Sequence, residues 1–376
     1  MVVQVGDNII SALGFTTAEN FDAVKAGRSG IRLHENYRGM LEPLCGALID
    51  AEQAERRFAE LQPPSDDYTM LEKVAILSVA AARRQEDIDL ARPDVLFVFS
   101  STKGNVYLLD ETERDVCREH LFLWHSAGLV ADFFGNPNEP IVISNACISG
   151  SSAQLAAARA LESGAYKYVV VTGVDMLSRF IVAGFQSLKA LSAERCRPFD
   201  RAHCGLNLGE AASTIIYSNA EYYEGVRFLV GAIRNDANHI SGPSRTGEGA
   251  FRALEAVLAG IDINKLSFIN THGTATVYND RMEAIALTRA GLNAVPVNSL
   301  KEYFGHTLGA AGIVETVIAS HALRNGIILP TLSCMEQEPD TPLNICTRQQ
   351  PSDKKYFVKM LSGFGGCNAA LLFGKN

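Results

Sequence analysis

The stretch PIVISNACISGSSAQLAAARALESG (140–164) joins an apolar run to a run of small residues through a polar elbow that carries one cysteine, Cys147. A second stretch repeats the plan: VPVNS (295–299), a polar elbow carrying His306, then GAAGIVETVIASHALRNG (309–326). In each, the apolar run reads as a buried strand, and the glycine- and alanine-rich run as a helix in close contact with a neighbour. Two strand–elbow–helix units at matching places predict a duplicated α/β fold.

Further strand-like runs are DVLFVFSS (94–101), YKYVVVTG (166–173), AASTIIYS (211–218), LSFINTHG (266–273), KYFVKMLS (355–362) and AALLFG (369–374). Helix-like segments lie at 70–84, 150–163, 249–260, 281–290 and 309–325. Continuous rather than alternating apolar runs suit strands covered on both faces. The 376-residue chain is 47% hydrophobic, enough for a large layered core. A net charge of −8 argues against a nucleic-acid binder that works through a broad basic surface.

Eight cysteines (45, 117, 147, 196, 204, 334, 346, 367) show no paired spacing, which predicts reduced thiols and no structural zinc site. The opening MVVQVGDNII has no basic segment followed by a long apolar one, and no apolar run reaches the roughly 20 residues that span a bilayer. The expectation is a cytoplasmic protein without a membrane segment.

Polar residues gather where strands end, in SNACISG (144–150), INTHGTATVYND (269–280), NSLKEYFGHTLGAAG (298–312) and SGFGGCNAALLF (362–373). Cys147 has two readings, a small packed residue or a thiolate favoured by a helix N-terminus and nucleophilic towards a thioester. His272 and His306 occupy similar loops, where one could stabilise developing negative charge and the other exchange a proton. Lys301 is either a surface lysine or half of an ion pair fixing the His306 loop. GFGG (363–366) places one large side chain, Phe364, on glycines whose backbone N–H groups can approach a bound oxygen closely.

Together these stretches resemble the elongating β-ketoacyl-acyl-carrier-protein synthases of the thiolase superfamily. The ordered motifs are the ACISG elbow, RPFD (197–200), LGEAA (208–212), HGTAT (272–276), LKEYFGHTLGAAG (300–312) and GFGGCNAALLF (363–373). The resemblance implies a five-layered αβαβα fold from two similar halves. One half, 1–222, would carry the nucleophilic cysteine, and the other, 223–376, the two histidines and the glycine-rich gate loop.

It also implies roles. Cys147 would accept the acyl chain, and His272 and His306 would assist decarboxylation of a malonyl thioester. The backbone N–H groups of Cys147 and Phe364 would form the oxyanion hole, with Phe364 also the gate of the acyl pocket. Thr274 and Thr276 would bind the pantetheine arm, and Lys301 and Glu315 would support the histidines. No cofactor or metal is implied, because the substrates ride on the phosphopantetheine of an acyl carrier protein. A homodimer is expected, with a heterodimer with a related synthase as the alternative, and no nucleic-acid or membrane partner.

Departures mark a divergent and somewhat short member. VQVGDNIISALG replaces the usual opening, Val277 and Asn279 replace proline and glycine, Leu300 a threonine, and Ala211 a glycine. These point to a specialised polyketide or polyene pathway as readily as to fatty-acid elongation. A thiolase would need its second cysteine elsewhere than Cys367. A non-catalytic chain-length partner would have lost the nucleophile.

Overall fold

The computed structural model describes residues 1–62, 67–85, 87–109, 118–219, 225–337 and 342–375. The expected boundary at 222/223 lies outside the described residues, as does Cys117.

The first half runs β1 (Val2–Ser11), α1 (Met70–Arg83), β2 (Val95–Ser100), α2 (Leu123–Phe133), β3 (Ile141–Ile143), α3 (Ser149–Glu162), β4 (Tyr168–Asp175) and β5 (Ala211–Ser218). The second runs β6 (Arg227–Asn235), α4 (Glu248–Leu258), β7 (Leu266–Asn270), α5 (Val277–Arg289), β8 (Val297–Asn298), α6 (Ala311–Arg324), β9 (Tyr356–Gly363) and β10 (Cys367–Gly374). The strand orders are β3-β2-β4-β5-β1 and β8-β7-β9-β10-β6, which are the same order twice. The two sets meet edge to edge where Val2 and Val3 pair with Phe228 and Arg227.

Helices α1 and α2 cover one outer face and α4 and α5 the other, while α3 and α6 pack between the two sets of strands. The order of layers is therefore αβαβα, as expected. Separate apolar cores fill the spaces: Val74, Val79 and Phe97 on the first outer side, Leu254, Ile269 and Leu287 on the second, and Ala157, Leu161, Val314 and Ile318 in the middle.

Small residues make the middle layer possible. A Cβ on Gly150 of α3 would lie 2.9 Å from the Gly309 carbonyl oxygen, and one on Gly312 of α6 would lie 2.5 Å from the Ser151 nitrogen. The helices touch backbone to backbone at their N-termini, which brings the two elbows together. No helix among the described residues is long and apolar enough to cross a membrane.

Candidate active site

Cys147 sits in the turn between β3 and α3. Ser149 fixes that turn: the Asn145 N–H donates to its hydroxyl oxygen at 2.8 Å, and the hydroxyl donates to the Ala146 carbonyl at 2.6 Å. Ala146 takes a left-handed φ of 45°, a conformation that costs energy for a residue with a Cβ. Left-handed backbone recurs at Phe199 (61°), Ala275 (62°) and Leu308 (51°), each in one of the sequence motifs around the site.

His272 follows β7, and its loop is set from below by the first two turns of α5. The buried Glu283 carboxylate accepts the His272 and Gly273 N–H groups, both at 2.7 Å. Asp280 accepts Thr274 N–H at 3.0 Å and Phe199 N–H at 2.7 Å, tying the RPFD motif to the same loop. His306 is held by its backbone, donating N–H to Asn207 O at 2.7 Å and accepting from Gly209 N–H at 3.0 Å.

The Cys147 sulfur and one ring nitrogen from each histidine lie within 4.8 Å of one another, and all three residues are buried. The imidazoles meet edge to face, with ring centroids 5.0 Å apart. Among the described residues, His272 Nδ1 and both ring nitrogens of His306 have no protein hydrogen-bond partner. A buried polar atom without a partner is destabilising unless something else satisfies it, so these nitrogens suit a bound ligand.

Behind the histidines lie two ammonium groups and one carboxylate. Lys301 and Lys359 each form a buried ion pair with Glu315, and Lys359 Nζ also donates to Thr271 O at 3.0 Å. Burial, followed by the charge of Lys301, lowers both imidazoles well below the ordinary histidine value of 6.5. Both are therefore neutral near pH 7, able to accept a proton or, as N–H, to donate to an oxygen. Burial also lowers Lys359 to about 8 against the pull of Glu315.

The thiol departs from one of its two sequence readings, the resting thiolate. Burial pushes Cys147 up to about 12, with the nearby Cys367 adding to the shift and Lys301 opposing it. The resting group is a thiol, so its proton leaves during acyl transfer, and the neutral histidines are the adjacent acceptors. Alkylation of Cys147 by iodoacetamide is expected to speed up about tenfold per pH unit between about pH 7 and about pH 9. A plateau near neutral pH in peptide-resolved rates would contradict this. Peptide mapping matters because Cys204 is half-buried in the same cavity.

That cavity, of about 540 Å³, is lined by Cys147, His272, His306, Thr274, Thr276 and Phe364 among others. The Thr274 and Thr276 hydroxyls are 2.9 Å apart. The Phe364 backbone N–H lies near enough to the Cys147 thiol to favour its thiolate, so it faces the reacting centre. The Phe364 ring is 40% exposed and stacks on Phe185 with centroids 5.6 Å apart, at the mouth rather than in the core. A larger surface hollow of about 680 Å³ at Arg197, Asp200 and Glu336 holds none of these groups.

The site residues expected from sequence thus fall into two groups. Cys147, His272, His306, Thr274, Thr276 and Phe364 share one cavity, whereas Lys301 and Glu315 stand behind its wall. Sequence reasoning missed Lys359, Glu283 and Asp280. The signals were present as a lysine inside the apolar run YFVKML and as two acids in the first two turns of α5.

Residues 96–221 match the family model described as beta-ketoacyl synthase, N-terminal domain, and residues 228–335 the model for the C-terminal domain. The chain belongs to the β-ketoacyl synthase family. Similar relatives include a "3-oxoacyl-[acyl-carrier-protein] synthase 2" of Mycobacterium leprae (strain TN), 31% identical over 248 residues that cover 61% of this chain and 59% of that protein. A protein of the same description from Staphylococcus aureus (strain COL) is 30% identical, with 61% of this chain and 60% of the relative covered. The match thus spans about three fifths of either relative's length.

Solved structures similar over 100% of this chain include the ketosynthase ApeO in complex with its chain length factor ApeC from Xenorhabdus doucetiae, with a TM-score of 0.89, 23% identity and 98% of that chain covered. The ishigamide ketosynthase/chain length factor matches with a TM-score of 0.89, 25% identity and 99% of that chain covered. A β-ketoacyl synthase from Burkholderia phymatum STM815 matches with a TM-score of 0.87 at 25% identity and 99% coverage of that chain. These likenesses agree with the thiolase-like fold expected from the motifs.

Proposed function

We propose that the chain is a β-ketoacyl-acyl-carrier-protein synthase that performs a decarboxylative Claisen condensation. The observation that carries this reading is the buried meeting of one thiol and two neutral imidazoles in a single cavity, with three of the four ring nitrogens lacking a protein hydrogen bond among the described residues. In the first half-reaction the Cys147 sulfur attacks an acyl thioester, its proton passes to the departing carrier thiol by way of a histidine, and the acyl group stays on sulfur. In the second, a malonyl thioester loses CO2 while His272 and His306 N–H groups stabilise its carbonyl oxygen as an enolate. The enolate carbon attacks the acyl–Cys147 carbonyl, the Cys147 and Phe364 N–H groups hold the oxyanion, and the β-ketoacyl carrier leaves as the Cys147 thiolate takes up a proton from solvent.

Both thioesters are carried on phosphopantetheine of an acyl carrier protein, for which Thr274 and Thr276 supply hydroxyls. The reaction needs no resident cofactor or metal. The setting is cytoplasmic chain elongation, of a fatty acid or a specialised polyketide or polyene. The working unit is a dimer, either of two identical chains or of this chain as the active half beside a chain-length partner. The heterodimer is supported by full-length likeness to ketosynthases solved with a chain length factor. A purely structural role fits poorly with a chain that keeps Cys147, His272 and His306.

The purified chain, with acyl-carrier and malonyl-carrier thioesters, is expected to release CO2 and form a β-ketoacyl product in equal amounts. Activity only after co-expression with a chain-length partner would select the heterodimer. No CO2 and no product in either setting would overturn the reading.

A further inference from the structure

The duplicated register places an acidic residue opposite the gate loop. Strands β4 and β5 pair from Tyr168↔Ser218 to Asp175↔Ala211, and β9 and β10 pair from Tyr356↔Gly374 to Gly363↔Cys367. Asp175 is therefore the counterpart, in the first half, of Gly363 at the start of the gate. Likewise Val98 pairs with Val171 where Asn270 pairs with Lys359, so Ser100 and Ser101, at the end of β2, correspond to His272 and Gly273. The first half supplies the nucleophile, yet its other two strand ends carry no group that lines the cavity.

What they carry is a cluster built on Asp175, whose side chain is wholly buried. Its carboxylate accepts the Ser101 hydroxyl at 2.7 Å, the Thr102 N–H at 2.9 Å, the Thr102 hydroxyl at 3.0 Å and the Lys103 N–H at 3.3 Å. The shortest contact crosses to the other half, where the Gly309 N–H donates to Asp175 Oδ2 at 2.6 Å. Ser100 completes the grip by donating its hydroxyl to the Gly309 carbonyl at 3.2 Å. A Cβ on Gly309 would lie 2.7 Å from Asp175 Oδ2 and 2.9 Å from Ser101 Cα, so the approach requires glycine.

Gly309 is three residues after His306, and Leu308 between them is held at φ +51°. The ring nitrogens of His306 have no protein partner among the described residues, so the imidazole is oriented through its backbone. Asn207 and Gly209 hold that backbone on one side. On the other side, the strained turn is tied down through Gly309.

We propose that Asp175 is a positioning residue for His306: the strand ends of the first half act as a clamp that fixes the strained Thr307–Gly309 turn and thereby aims the His306 imidazole into the cavity. This rests on the condensing-enzyme reading for its kinetic consequence. The geometric claim stands apart from it.

The test uses the full chain with 15N-labelled histidine and the Asp175→Asn variant, in which an amide replaces one acceptor oxygen. Imidazole resonances of His306 are expected to shift or broaden in the variant, while those of His272, held by Glu283, stay in place. CO2 release from malonyl-carrier is expected to fall about 10- to 100-fold with KM little changed, because a misaimed group loses rate rather than binding. Acyl loading of Cys147, followed by intact mass, is expected to stay within about threefold of the parent, because His272 remains in place to relay the thiol proton.

Thr102→Val, which removes one donor and leaves the carboxylate, is expected to give the same asymmetry at smaller size and covers the case in which Asp175→Asn does not fold. Unmoved His306 resonances, or equal losses in both half-reactions, would overturn the clamp. A parent protein with neither half-reaction would instead overturn the functional reading, and the resonances would still decide the clamp.

Discussion

A Cys147→Gln variant is expected to release CO2 from malonyl-carrier while forming no β-ketoacyl product, and Cys147→Ala to lose condensation by at least about a thousandfold. The two outcomes separate the roles in the cavity. Condensation needs a sulfur that leaves as readily as it attacks, and neither replacement offers one. Decarboxylation needs only donors for the enolate oxygen, and His272 and His306 remain in place because their loops are held by Glu283, Asn207 and Gly209 rather than by Cys147. The glutamine amide has the further property of resembling an acylated cysteine, with its carbonyl oxygen near the Phe364 N–H. Gas evolution without product from Cys147→Gln supports the assignment of the histidines. If Cys147→Ala condenses at the parental rate, the nucleophile is misassigned.

Glu315→Ala is expected to destabilise the fold by about 3–5 kcal/mol, because it leaves two buried ammonium groups without a counter-charge. Lys301, Lys359 and Glu315 are each no more than 2% exposed, so water cannot replace the missing carboxylate. The pH dependence has a definite sign. Lys359 sits at about 8 in the folded protein against an ordinary 10.5, so between those values the unfolded chain binds the extra proton and this group's contribution to stability rises with pH.

Without Glu315 the folded value falls further, and the deficit of the variant is largest near neutral pH and smaller in alkali. Urea unfolding at about pH 7 and about pH 9 reads this directly. A deficit that widens in alkali would mean that Lys359 is not the charge at stake. Adding Lys359→Met to the Glu315 variant is expected to recover part of the loss, since one uncompensated charge is removed.

Much of the site was legible in sequence because the groups that touch substrate sit in short polar elbows after apolar strands. Cys147, His272, His306 and Phe364 stand out there, and the small residues of 149–158 and 309–312 announced the contact between α3 and α6. The layers followed from continuous apolar strands. Strand β1 was missed because Gln4, Asp7 and Asn8 interrupt its pattern, although all three are buried; Asp7, for example, pairs with His321 at 3.0 Å. Strand β6 was missed for a related reason, with Gly231 at its centre and arginines at its ends.

Groups that act through others were harder to see. Lys359 and Asp175 look like ordinary strand residues until the register places one beneath the histidines and the other against Gly309. Of the two readings of Cys147, the resting thiolate rested on a helix N-terminus, which is visible in sequence, whereas the burial that outweighs it is not.

The most direct test of the account is the intact mass of the chain after exposure to an acyl-carrier thioester, followed by peptide mapping and addition of malonyl-carrier. The expected result is a gain of one acyl group on the Cys147 peptide that disappears as CO2 and β-ketoacyl-carrier form. An acyl group on another residue, such as Cys204, or condensation that proceeds with Cys147 never acylated, would contradict it.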